Sequence, residues 1–309
     1  MSRRGTLSDD DLTRLRAAVG RASIDPAASL FGPGSVTWRV NREAVLLLGG
    51  GRALLLQVAH PLVAAGVASY SRFRTEPLAR LRRTLDLVLT IVFAEARNAL
   101  GAVRDIERVH ARVRGVLDRD VGPFRRGTPY SAGDPELLLW VHATLVDTAL
   151  VAYERFVGPL AEEDRAAFQR ESRVTARLLG VPDGLFPAGA DGLGEYVAAM
   201  VASDALAIGP DGRAIADSIL RPPLATALRP LGALGRFVTV GLLPAPLRAR
   251  YGLQWSDGRD TVLSALALLL RRIVPRLPHC VRDMPHARSA TARVRRRRAD
   301  PLSGRAAVW

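Results

Sequence analysis

Apolar residues recur every three to four positions along nearly the whole chain, and strand-like alternation is almost absent. A helix burying one face has that period, so the pattern commits the chain to helix-on-helix packing. Helices are predicted from Asp9 to Val19 behind Ser8 as N-cap, over Asn41–Leu48, Arg52–Ala59 and Pro61–Ser69, then over Pro77–Phe93 and Ala96–Leu117. A Gly- and Pro-containing loop follows over Val121–Ala132. Asp134, Pro135 and Glu136 read as the cap, first position and first turn of a helix running to Phe156. Further helices are predicted over Glu162–Leu179, Leu193–Leu206, Arg213–Leu220, Leu224–Leu242, Pro246–Tyr251 and Asp257–Arg276. The expected fold is all-α: one globular helical domain over 1–278, then a basic, disordered C-terminal tail over 279–309.

The chain has 309 residues, 48% of them hydrophobic, enough for a substantial core. Aromatic residues are only 6%, so that core rests on Leu, Val and Ala. Val45–Tyr70 is apolar enough to resemble a membrane span, but Gly49–Gly51, Arg52, Gln57, His60 and Pro61 interrupt it. A buried pair of helical segments is expected there. All 44 basic residues are Arg, and the net charge is +14. From Arg282 to Trp309 eight Arg face two Asp, which reads as a solvated tail or, more sharply, as a weak contact for an anionic surface. Neither a zinc-finger spacing nor an aromatic-interleaved basic motif is present, so no specific nucleic acid is expected. Cys280 is the single cysteine, which excludes an intrachain disulfide and any CxxC metal pair. Met1–Asp11 is polar and lacks the apolar stretch of a secretory signal, so a cytoplasmic location is expected.

HExxH, GxSxG and P-loop signatures are all missing. Gly49-Gly50-Gly51 has neither the GxGxxG spacing nor a preceding strand, and reads as a helix break or a close backbone approach. His60, His110 and His142 lie in apolar helical contexts, whereas His279 and His286 sit near the basic end and read as solvated. On a continuous helix His110 neighbours Ile106, Glu107, Val113 and Arg114, at the edge of an apolar stripe with charge alongside. From the residues alone it is either an ordinary core histidine or an axial ligand for iron. His142, among Leu138, Leu139, Leu145 and Val146, has the same two readings. His60 before Pro61 suits a bond to a free backbone group at a helix break. Arg80 and Thr84 share one helical face with Arg83 beside it. They are either a solvated basic surface or the polar wall of a pocket.

Gly51-Arg52-Ala53-Leu54-Leu55-Leu56-Gln57-Val58-Ala59-His60-Pro61 resembles the opening of the MpaB-type oxygenase domain, shared with latex-clearing rubber oxygenases and formerly a domain of unknown function. The likeness continues through Phe73–Pro77, Arg80–Thr84, Val109–Gly115, Pro129–Ser131, Trp140–Asp147, Leu243-Pro244 and Tyr251–Leu253, covering about 30–275. The resemblance implies a globin-like helical core that holds haem b through one helical histidine downstream of an Arg-x-x-x-Thr pair. Arg80 and Thr84 match that pair, and His110 best matches the metal ligand. Arg114 and His142 are further candidates for contacting the cofactor. Arg80, Arg83 and Thr84 would polarise bound oxygen or anchor propionates. Rubber oxygenases carry a Lys where this chain has Arg83, and a permanent guanidinium is a poor reversible iron ligand. Glu76, close by in sequence, is the candidate for a distal base.

The implied function is a haem-dependent oxidoreductase using dioxygen or peroxide on a small apolar organic substrate. Two alternatives stand beside it: a haem-binding or sensory protein without turnover, and a non-haem helical interaction protein with an anion-binding tail. The first alternative predicts a haem spectrum without oxygen consumption, and the second predicts no Soret band.

Overall fold

The computed structural model describes residues 9–20, 28–70, 77–189, 191–223 and 225–299, with backbone alone for 77–83, 227 and 298. Its helices are α1 (Asp9–Val19), α2 (Val36–Asn41), α3 (Gly50–Val58), α4 (Pro61–Tyr70), α5 (Pro77–Phe93) and α6 (Ala96–His110). After a short hairpin, β1 (Arg114–Val116) with β2 (Pro129–Ser131), come α7 (Pro135–Phe156), α8 (Glu162–Leu178), α9 (Gly192–Ala202), α10 (Pro210–Leu220) and α11 (Arg229–Leu242). The chain continues through α12 (Ala245–Arg250), α13 (Asp257–Ile273), α14 (His279–Arg282) and α15 (Pro285–Ala299).

The longest helix, α7, is the axis of the molecule. Asp134 caps it by accepting from the backbone N–H of Glu136 at 2.9 Å, and Pro135 occupies its first turn. Leu139, Trp140, Ala143, Val146 and Leu150 are buried along it, against Leu55, Leu56 and Ala59 of α3 and Val197 and Val201 of α9. By length and composition α7 could cross a membrane, yet 67% of its apolar window is buried inside the protein. The second apolar stretch bends by 106° between Ala44–Val58 and Pro61–Tyr70, the buried pair of segments that the sequence predicts. Pro61 lacks the N–H that would continue α3, and opens α4 instead.

A second core joins Leu15 of α1, Trp38 of α2, Leu89 and Phe93 of α5 and Leu100 and Val103 of α6. The α5–α6 pair is an antiparallel hairpin turning at Ala94 and Glu95, its seam filled by Leu85, Leu89, Val92, Ala99, Val103 and Ile106.

Trp38-Arg39-Val40 is helical, because Ser35 caps α2 by accepting from the Trp38 N–H at 3.1 Å. Two local expectations change. The helix predicted to Leu117 ends at His110, and the chain turns into the β1–β2 hairpin. Gly115 allows that turn: a Cβ there would lie 2.6 Å from the Tyr130 hydroxyl oxygen. The expected disordered tail does not begin at 279, since 279–299 form α14 and α15, while 300–309 lie outside the described residues. Met284, Ala287 and Ala290 are buried in the second core. Glu43, fully buried, accepts from Arg282 Nε at 2.8 Å and Nη2 at 2.7 Å, and so fastens this end to the start of the chain.

Candidate functional site

The oxygenase-like residues fall into three places. The first is the open end of the α5–α6 hairpin. His110 is the last residue of α6, and its backbone carbonyl accepts from Val113 N–H at 3.0 Å as the chain leaves the helix. Its imidazole is half-buried and makes no hydrogen bond among the described residues. Burial holds its pKa below the usual histidine value, partly opposed by the charge of Glu107. At neutral pH the ring is therefore neutral, with a lone pair free to bind a metal. Arg80 lies on α5 level with His110, each about 20 Å along its helix from the turn at Ala94. Thr84 is exposed one turn nearer the connection. Of Arg80 and Arg83 the structure describes the helical backbone, and Glu76 lies outside the described residues.

Two tyrosines brace this corner. Tyr70, at the end of α4, donates its hydroxyl to Arg114 O at 2.7 Å, and Tyr130 donates to Ser69 Oγ at 3.1 Å. Gly66 permits the contact, since a Cβ there would sit 3.1 Å from Val113. Arg114 is in β1 and exposed, so it does not share a helical face with His110. Sequence reasoning singled out neither tyrosine for a role. Tyr130 falls within a segment quoted for the resemblance, but no local pattern marks Tyr70.

The second place is the start of α4. His60 is buried, its ring 5.2 Å from Phe124, and Nδ1 has no partner among the described residues. The expected bond from this ring to a free backbone group is not made at Nδ1. Burial lowers its pKa to about 4, against a weaker opposing effect of Asp134.

The third place is the contact of α7 with α8. His142 is buried, and Nε2 lies 3.3 Å from Ser172 Oγ. That hydroxyl already donates to Gln169 O at 2.8 Å, so it accepts from His142, fixing the proton on Nε2. Burial alone lowers the pKa of His142 to about 4. Thr144, two residues on, accepts from Gln57 of α3 at 3.2 Å on the opposite side of the helix. His142 therefore faces away from α3, and the three histidines do not converge. Among the described residues no three His, Cys, Asp or Glu side chains group as a metal site. A cleft of about 560 Å³ lies between Gly122, Asp204, Leu206, Ile208, Arg213 and Arg250, and none of these histidines lines it.

A single axial ligand is all that a haem requires of the protein. The free, neutral imidazole of His110 fits that role. The Nε2 of His142, committed to Ser172, does not.

The oxygenase-like segments also hold the scaffold together. Arg52, buried on α3, pairs with Asp147 at 2.7 Å and donates to Thr148 Oγ1 at 2.6 Å and to Leu242 O at 2.9 Å. Gly49 and Gly51 let α7 and α11 approach closely. A Cβ on Gly49 would lie 2.8 Å from Thr148 Cγ2, and one on Gly51 would fall inside the Thr239 side chain. Close approach, rather than phosphate binding, is the use of the glycine triplet.

Comparison with known proteins places the chain in a family. The chain is 28% identical over 239 residues to the uncharacterised proteins Rv2237 of Mycobacterium tuberculosis and Mb2261 of Mycobacterium bovis, covering 73% of this chain and 88% of each relative. No solved structure matches it. Residues 38–272 match the catalytic domain described as ER-bound oxygenase mpaB/B'/rubber oxygenase. This span runs from α3 to the last turn of α13, with the His110 corner and the Arg52–Asp147 pair, and by it the chain belongs to the mpaB/rubber oxygenase family and is an enzyme of oxygenase type.

Proposed function

We propose that the protein is a haem b-dependent oxygenase acting with dioxygen or peroxide on an apolar organic substrate, with the cofactor held at the open end of the α5–α6 hairpin. The reading is carried by one observation: the hairpin brings His110 level with Arg80, and the His110 ring is neutral with no hydrogen-bond partner among the described residues. His110 would be the axial ligand. Bound there, haem would supply the redox chemistry toward the oxidant.

The chain's own residues would do the rest. The guanidinium of Arg80 or Arg83, permanently charged, would stabilise negative charge on a propionate or on the reacting oxygen. Thr84 would offer a hydroxyl donor. Arg114, exposed on β1, would offer a guanidinium to a propionate. Tyr70 and Tyr130 would act as positioning residues, fixing the α4 and β1 backbones around the end of α6. His142 would support the α7–α8 contact instead of touching the cofactor. Val109 and Val116, both exposed beside this corner, suit an apolar substrate.

The protein purified from cells supplied with a haem precursor should show a Soret band, and His110→Ala should lose it while retaining its helical circular dichroism. Loss of the band in His60→Ala alone would move the ligand to the buried ring with the unpartnered Nδ1. A preparation that stays colourless through hemin titration would remove haem from the proposal. Oxygen uptake with alkene-bearing probes would then distinguish turnover from binding.

A further inference from the structure

The last turn of α6 carries a carboxylate beside the His110 ring. Glu107 precedes His110 by three residues, and side chains at that helical spacing are neighbours, with about 5–6 Å between Cβ atoms. The charge of Glu107 bears on the imidazole and partly opposes the effect of burial. No hydrogen bond joins the two side chains among the described residues.

Arg14 of α1 holds that carboxylate instead. Its Nη1 donates to Glu107 Oε2 at 3.2 Å and its Nη2 to Oε1, so both carboxylate oxygens are engaged. Nη2 also donates to Leu178 O at the end of α8. Three helices therefore meet on one guanidinium, which fixes where the Glu107 charge lies. One turn earlier a second pair, Arg104 with Asp11 at 2.5 Å, joins the same α1 and α6, and Leu15 and Ala18 of α1 are buried in the second core. The docking of α1 thus does not depend on Arg14 alone.

A negative charge or a carboxylate acceptor beside an axial imidazole makes the ring a stronger donor and favours the higher oxidation state of the metal. A positive charge does the reverse. Arg14 both neutralises Glu107 and keeps it off the ring. We propose that Arg14 and Glu107 form a positioning pair that sets the reduction potential of an iron held by His110. The inference rests on the reading of His110 as the axial ligand.

Spectroelectrochemical titration of the haem-loaded full chain tests it. Arg14→Gln should favour Fe(III) by about tenfold, a potential lower by ~59 mV for one electron, and Glu107→Gln should favour Fe(II) to a similar extent. The double variant should return close to the wild-type potential, because the two charges are removed together. The Fe(II)–histidine stretching frequency in resonance Raman should rise in Arg14→Gln and fall in Glu107→Gln. Loosening of α6 would move both single variants in one direction, so opposite signs separate charge from packing. Should Arg14→Gln not fold, Glu107→Gln is compared with Glu107→Asp: the first should raise the potential, whereas the second, which keeps the charge, should not. The proposal is overturned if both single variants shift the same way, if neither shifts while the Soret band is retained, or if Glu107→Asp matches Glu107→Gln. A colourless wild type, or a His110→Ala variant that keeps its Soret band, refutes the axial-ligand reading itself and this inference with it.

Discussion

Burial holds His60 and His142 neutral down to a pKa of about 4, whereas in the unfolded chain each takes up its proton near 6.5. Below that pH the unfolded state binds more protons, so stability is lost as pH falls from about 6.5 toward about 4. Each ring would contribute about 3 kcal/mol to that loss. His142→Leu should therefore make the acid limb shallower, read from urea midpoints at pH 7 and pH 4.5. Ser172 keeps its bond to Gln169 O in that variant, so no new buried donor is left unpaired. Gly51 makes the opposite kind of point. Gly51→Ala should cost about 1–3 kcal/mol by overpacking against Thr239. Adding Thr239→Ala should recover much of it, a coupling that thermal unfolding of the double mutant would reveal.

Among the elements, the junctions carry buried charge. Arg52 ties α3 to α7 through Asp147 and Thr148 and reaches the α11 end through Leu242 O. Glu43 does the same for the carboxy-terminal helices through Arg282. Breaking such a pair leaves an uncompensated buried charge, which is worse than never having had one. Glu43→Ala should destabilise the protein by about 3–5 kcal/mol and expose 279–299 to limited proteolysis before global unfolding. Simultaneous loss of all tertiary structure, with no earlier cleavage near Arg282, would show that this end is no separate latch. Helix positions were legible in the sequence because caps and apolar period are local: Asp134-Pro135-Glu136 marks α7 without ambiguity. The end of α6 was not, because Val113–Leu117 continues the helical pattern while Tyr130, far along the chain, requires Gly115 to be a strand. The helical-face argument that joined Arg114 to His110 was lost with it.

For the whole molecule, the all-α architecture and membership of the oxygenase family followed from periodicity and from a set of short segments read together. The run Arg282–Arg298 did not reveal its structure, because charge density by itself describes a solvated tail. Its three small or flexible apolar anchors, Met284, Ala287 and Ala290, have meaning only against a core assembled from residues almost two hundred positions away. The same limit applied to the histidines. Three imidazoles in similar apolar helical settings were indistinguishable in sequence, and packing separated them: one bonded to Ser172, one tilted against Phe124, one without a hydrogen bond among the described residues at a helix end.

The sequence by itself determined most of the helices, the cap of α7 and the family, since spacing along the chain specifies which face of each helix seeks burial. Only the tertiary structure decided which polar groups find partners, and so which histidine keeps a ring nitrogen available. Burial and hydrogen bonding depend on what arrives from distant parts of the chain, and local spacing holds no record of it.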